Sequence, residues 1–251
     1  MEPRLTIARN SCKPVPLTLS RIIDHKNPVT DNNRNDLINK VYSNILNIIN
    51  QSFVRNEGDV IKSYEDWKRI NSCSLEYNDK QLNLWNINPI ESLDNYLNED
   101  ASCYTMVSIT KKNTTEISVV YSIKDDIYIS AIRGEGAMIE KEKLRASTTK
   151  SDTTKFICDN ELVSENITKI NHYERRNSES IVKDILKLIN GEVDFILIKN
   201  FDFIRYQALY LICKEASLIV DLKIACDNRS HEFLASKPKI FNDIQQLIRL
   251  V

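Results

Sequence analysis

Leu84-Trp85-Asn86-Ile87-Asn88-Pro89-Ile90-Glu91-Ser92-Leu93-Asp94-Asn95-Tyr96 is the stretch whose reading decides the fold. Gln81 to Ile87 alternates as a strand, Pro89 ends it, and a helix-forming pattern follows. A strand that runs into a helix start aims backbone N–H groups at whatever lies beyond the strand end. Asn88, Glu91 and Asp94 stand at i, i+3 and i+6. On a helix beginning here they would share roughly one face, as a small oxygen-rich cluster.

Outward from this stretch the chain changes period. Before it, residues 34 to 52 carry Leu37, Ile38, Val41, Tyr42, Ile45, Ile48 and Ile49 as a helical stripe, capped by Thr30 or Asp31. Val60 to Ile70, behind Asp59, reads as a second, shorter helix. After it, Cys103 to Thr110, Glu116 to Ile123 and Ile127 to Arg133 form an antiparallel meander closed by Gly134 and Gly136. The remainder alternates: strand Lys155 to Cys158, helix Ser178 to Asn190 ended by Gly191, strand Val193 to Ile198, helix Phe203 to Ala216, strand Leu218 to Leu222. Pro238 opens a terminal helix through Leu250. The expectation is an α/β (α+β) chain in two halves. Residues 1–150 form an α+β half with the antiparallel sheet, and residues 151–251 an α/β half.

Composition excludes several classes. Only 4 glycines occur in 251 residues, where ordinary usage would give roughly 18. Neither a Walker-type phosphate loop nor a nucleophile elbow is present. Net charge is −1, with 34 Lys+Arg against 35 Asp+Glu, so no nucleic-acid partner is expected. The longest apolar run, Ala208 to Cys213, is far too short for a membrane span, and Met1 to Cys12 lacks a signal-peptide core. A cytoplasmic chain with six reduced, buried cysteines and no membrane partner is the corresponding expectation.

The quoted stretch resembles the signature of the inositol monophosphatase and bisphosphate nucleotidase family, Trp-x-x-Asp-Pro-Ile/Leu-Asp-Gly-Thr followed by an aromatic. Trp85, Pro89, Ile90 and Tyr96 match it. Further ordered matches are Pro28-Val29-Thr30 with Asn33, Asn56-Glu57-Gly58-Asp59, and Gly134-Glu135-Gly136-Ala137. Leu144-Arg145-Ala146-Ser147, Gly191-Glu192-Val193-Asp194, and Glu215-Ala216-Ser217 with Asp221 complete the series. The resemblance implies a layered αβαβα sandwich, phosphomonoester hydrolysis, Mg²⁺ as cofactor, and a phosphorylated small molecule as ligand. Self-association into a homodimer is also common in such a family.

The chain departs from that pattern at the acidic positions. Asn88 stands for the first Asp of the signature, Glu91 for the second, and Ser92-Leu93 for Gly-Thr. Gly58 replaces a Glu, Asn33 an Asp, and Arg205-Tyr206 the late Trp-Asp. Of five acidic positions, Glu91 alone keeps a carboxylate. The family-equivalent catalytic positions are therefore Asn88, Glu91, Leu93 and Tyr206, and the substrate positions Ser92, Leu93 and Arg205. The metal positions are Glu91, Asn88 and Ile90, with Glu57, Asp94 and Asp202 as surrogates.

Mg²⁺ sheds its waters reluctantly and wants charged oxygens, so ordinary metal-dependent hydrolysis is expected to be lost or severely weakened. No cofactor would then be required. Two alternatives remain open on sequence: an active Mg²⁺-dependent phosphomonoesterase with a rearranged site, and a non-enzymatic protein-interaction scaffold. His25, His172 and His231 are scattered and read as structural, Glu174-Arg175-Arg176 as an exposed loop.

Overall fold

The computed structural model describes residues 2–23, 29–52, 58–62, 82–98, 102–112, 114–148, 152–170, 172–224 and 231–250. Helices α1 (Pro3–Cys12), α2 (Val15–Ile22) and α3 (Asp31–Ser52) come first. Pro at the first position and the Glu2 carboxylate, which accepts the Arg4 N–H, start α1. Thr30 precedes α3: its carbonyl accepts the Asn33 and Arg34 N–H groups, and Asn33 Oδ1 accepts the Thr30 N–H at 2.8 Å. Asn33, at a family acidic position, thus serves as a cap.

A seven-stranded sheet follows in sequential order: β1 (Asp59–Lys62), β2 (Asn83–Glu91), β3 (Tyr104–Lys111), β4 (Thr114–Ser122), β5 (Ile127–Ile132), β6 (Gly136–Ile139) and β7 (Glu142–Leu144). Only β1 pairs in parallel, and the short helix α4 (Leu93–Leu97) links β2 to β3. The second half of the chain alternates β8 (Thr154–Cys158), α5 (Glu161–Thr168), β9 (Tyr173–Arg175), α6 (Ile181–Asn190), β10 (Phe195–Phe201), α7 (Phe203–Glu215), β11 (Ile219–Ile224) and β12 (His231–Ser236). A 3₁₀ turn at Pro238–Ile240 then leads into α8 (Phe241–Leu250). Its five strands are ordered β11-β12-β10-β8-β9, with β8 parallel to both neighbours.

Three cores separate five layers. Leu19, Val41 and Ile45 of the first helices pack on Trp85, Ile87, Val107 and Ile109 of the first sheet. Its other face, through Met106, Val120 and Ile129, meets α6 and α7 at Ile185, Leu188, Leu209 and Ile212. Pleat alternation repeats the device in the second sheet. Ile196 joins that middle core, whereas Phe195 and Leu197 face α5 and α8 through Ile167 and Ile244. The order helix, sheet, helix, sheet, helix is the expected sandwich. No helix among the described residues is long and apolar enough to cross a membrane.

Several expectations are corrected. Asp59 to Lys62 is a strand and not the start of a helix, while residues 63–70 lie outside the described residues. Four residues are too few to display a period, and the β-branched Val60 and Ile61 pair with Leu84 and Trp85. The meander does not stop at Gly134 and Gly136 but continues through β6 and β7. Strand β2 runs past Pro89 to Glu91. Elements α1, α2, α5, β9 and β12 are additions to the elements expected from sequence.

Candidate functional site

The helix that would have aligned Asn88, Glu91 and Asp94 does not form. Asn88 and Glu91 lie on β2 and Asp94 on α4. With Trp85 and Ile87 turned to the outer helices, the pleat sends Asn86 and Asn88 to the opposite face. Pairing with β3 then shifts register between Asn88 and Glu91. The bulge keeps Glu91 on the α7 side of the sheet. Pro89 is accommodated there, its carbonyl accepting the Thr105 hydroxyl at 2.8 Å.

Helix α7 supplies the facing groups. Asp202 caps it, its carboxylate accepting the Arg205 N–H at 3.0 Å. Arg205 then reaches Glu91 with Nε at 2.9 Å and Nη2 at 2.7 Å, both on Oε2. Tyr206 donates its hydroxyl to Oε1 at 3.2 Å, and Asn88 Nδ2 donates to Oε2 at 3.3 Å. Ser92 Oγ lies 3.5 Å from Oε1. Glu91 is buried, with 8% of its side chain exposed, whereas Arg205 is about a third exposed at 36%. Removing one partner of a buried pair costs about 3–5 kcal/mol, and the exposure of Arg205 lowers that figure here.

Ser92 takes a left-handed conformation, φ 62° and ψ 50°, where the family signature has Gly. Burial and then the Glu91 carboxylate push the Tyr206 phenol up, so it is a neutral donor. Burial and the same carboxylate push the Cys103 thiol up to about 12, which removes it as a nucleophile. Cys12, Cys158 and Cys213 are likewise free and buried.

The remaining candidates are placed elsewhere. Leu93 and Ile90 are buried in the core beneath the first helices. Asp94 is exposed and pairs bidentately with Arg34 at 2.7 and 2.8 Å. Asp59 accepts two bonds from Arg4, at 3.0 and 3.1 Å, and the Trp85 indole N–H at 3.0 Å. Glu57 and His25 lie outside the described residues. Arg175 pairs with Glu161 and Arg176 with Glu174, while His231 stacks on Phe203. Sequence reasoning missed Gln207, whose Oε1 accepts hydroxyls from Ser108 at 3.4 Å and Thr110 at 3.1 Å and ties α7 to β3. The signal was available in Ser108 and Thr110, polar residues at alternate positions of β3 that flank Ile109.

The Mg²⁺ that the resemblance implies does not fit these residues. An octahedral ion at about 2.0–2.1 Å needs carboxylate lone pairs. Those of Glu91 are directed to Arg205, Asn88, Tyr206 and Ser92, and the nearest added charge is a guanidinium. Among the described residues no group of three or more His, Cys, Asp or Glu side chains converges.

Comparison with known proteins agrees with the fold. Nus factor SuhB of Buchnera aphidicola subsp. Schizaphis graminum is 26% identical over 93 residues, 37% of this chain and 34% of that protein. Nus factor SuhB of Haemophilus influenzae is 27% identical over 124 residues, 47% and 46% respectively. The chain thus spans less than half the length of either relative. The inositol monophosphatase of Anabaena (Nostoc) sp. PCC 7120 superposes with a TM-score of 0.73 at 15% identity, covering 98% of this chain and 95% of that one. A family model described as Inositol monophosphatase family matches residues 17–216, most of the sequence, and the chain belongs to that family.

Proposed function

We propose that this chain is a binding member of its family, in which Mg²⁺-dependent hydrolysis is lost or severely reduced and a phosphorylated small molecule is still taken up. The observation that carries this reading is the Arg205–Glu91 pair at 2.7 Å. Clustered divalent ions accelerate phosphate ester hydrolysis by lowering the pKa of a bound water and by stabilising the leaving oxygen. With Glu91 committed to a guanidinium, neither contribution is supplied. A guanidinium carries five N–H donors, in a fork that matches phosphate as well as carboxylate. Arg205 and the Ser92 hydroxyl, at the end of β2, are the groups that would meet the ligand's phosphate.

The test is phosphate release from inositol monophosphate and from adenosine bisphosphate, with and without Mg²⁺, beside calorimetric binding of both compounds without metal. Binding without Mg²⁺-dependent release is expected. Turnover at ordinary enzyme rates, on the order of 10 s⁻¹, would overturn the reading. A second reading, a protein-interaction scaffold, is favoured by the names of these two relatives, each a Nus factor. It gains if neither phosphomonoester binds at millimolar concentration.

A further inference from the structure

We propose that Arg205 is the resident cation of this site, neutralising Glu91 from within the chain so that a divalent metal and the Arg205 guanidinium exclude one another. The inference rests on the same site as the proposed loss of hydrolysis and specifies its electrostatics. Oε2 of Glu91 lies 2.9 Å from Nε and 2.7 Å from Nη2 of Arg205, and Oε1 lies 3.2 Å from the Tyr206 hydroxyl. An incoming Mg²⁺ would need the same lone pairs at about 2.0–2.1 Å. It would also place two positive charges against a guanidinium that does not deprotonate in proteins.

The helix is shaped for this contact. Consecutive helical residues diverge by about 100°, so an undistorted turn would not send Arg205, Tyr206 and Gln207 to one sheet. Tyr206 leaves helical geometry, with φ −112° and ψ 19°, and all three side chains bond to β2 or β3. Asp202 fixes the start of the turn through the Arg205 N–H. A guanidinium suits the task better than an ammonium because two of its donors reach the carboxylate in a rigid fork.

The experiment is Mn²⁺ titration of the wild-type protein, read by the electron paramagnetic resonance of the free aqueous ion, with thermal unfolding in 0–10 mM Mg²⁺. The free-ion signal is expected to stay undiminished and Tm unchanged. A site filled at 100 times its Kd would raise Tm by roughly 5–10 °C. Arg205→Ala is expected to lower Tm by about 5 °C and to recover part of that loss in a few millimolar methylguanidinium, which leaves wild type unaffected. Arg205→Lys, which retains the charge, should fold with an intermediate Tm if Arg205→Ala does not fold. Stoichiometric Mn²⁺ binding to wild type that disappears in Glu91→Gln would overturn the inference, as would an Arg205→Ala protein as stable as wild type. Phosphate release without Mn²⁺ binding would sink the proposed loss of hydrolysis and leave the resident cation standing. Mn²⁺ binding without turnover would do the reverse.

Discussion

Gly191 and Gly134 both adopt positive φ, 88° and 77°, yet they should respond differently to alanine. An added Cβ at Gly134 meets nothing within 4 Å, so the cost is that of the left-handed backbone alone, about 1–2 kcal/mol. At Gly191 the same Cβ would stand 2.7 Å from both Cβ and Oγ of Ser147. Something must shift there, and Ser147 is held by its N–H bond to the Ile189 carbonyl. Gly191→Ala should therefore cost about 3–4 kcal/mol, the strain plus a packing conflict of 1–3 kcal/mol. Urea unfolding of the two variants checks the ranking, and equal losses would refute the steric argument. The C-terminal role of Gly191 was legible in sequence, since it follows an amphipathic helix. The approach of Ser147 was not, because it comes from a segment more than forty residues earlier. The candidate site divides in the same way: alignment to a family pattern located Glu91 and Arg205, but not the bond between them.

Single elements were readable where their period ran long enough. The stripe of α3 and the meander of β3 to β5 show it, whereas the four residues of β1 are too few to set a strand apart from a helix. The far end of β2 was missed for a chemical reason. Pro89 lacks an N–H and reads as a terminator, but a bulge with a side-chain bond to its carbonyl carries the strand to Glu91. Helix α7 is expected from sequence as a buried helix, but its kink at Tyr206 is not, because the kink goes with contacts to both β2 and β3. Gln207 is buried and accepts both the Ser108 and the Thr110 hydroxyl. Gln207→Leu should leave two buried hydroxyls without that acceptor and destabilise the protein by about 2 kcal/mol. Adding Ser108→Ala and Thr110→Val should return most of the loss, since removing all partners of a buried bond is far milder than removing one. A triple variant no more stable than Gln207→Leu would show that the bonds do not hold α7.

For the molecule as a whole, the balance of carboxylates sets its tolerance of acid. Hydrogen bonding to Arg34 holds Asp94 below the usual range, and Lys183 with Lys187 does the same for Glu179. Both are largely exposed and contribute little. Burial pushes the Glu232 carboxyl up, and the ion pairs with Lys199 and Lys223 outweigh it and hold it below 4.5. Asp184 has the opposite sign: burial raises it, so its ionisation opposes folding and its protonation in acid offsets part of the other losses. Glu232 sits on β12 between β10 and β11, each of which supplies one lysine, so the pairs tie three strands that separate the middle core from the outer one. A carboxylate lowered on folding stabilises above its unfolded pKa and loses that contribution as pH falls through its folded pKa. Glu232→Gln should therefore be less stable than wild type at pH 7 by about 1 kcal/mol, a modest value because both lysines are partly exposed. The gap should begin to close below pH 4.5 and vanish once wild-type Glu232 is protonated. Urea unfolding of both proteins from pH 7 to pH 3 measures it directly. A gap that stays constant down to pH 3 would place the effect of the substitution in packing, not in charge.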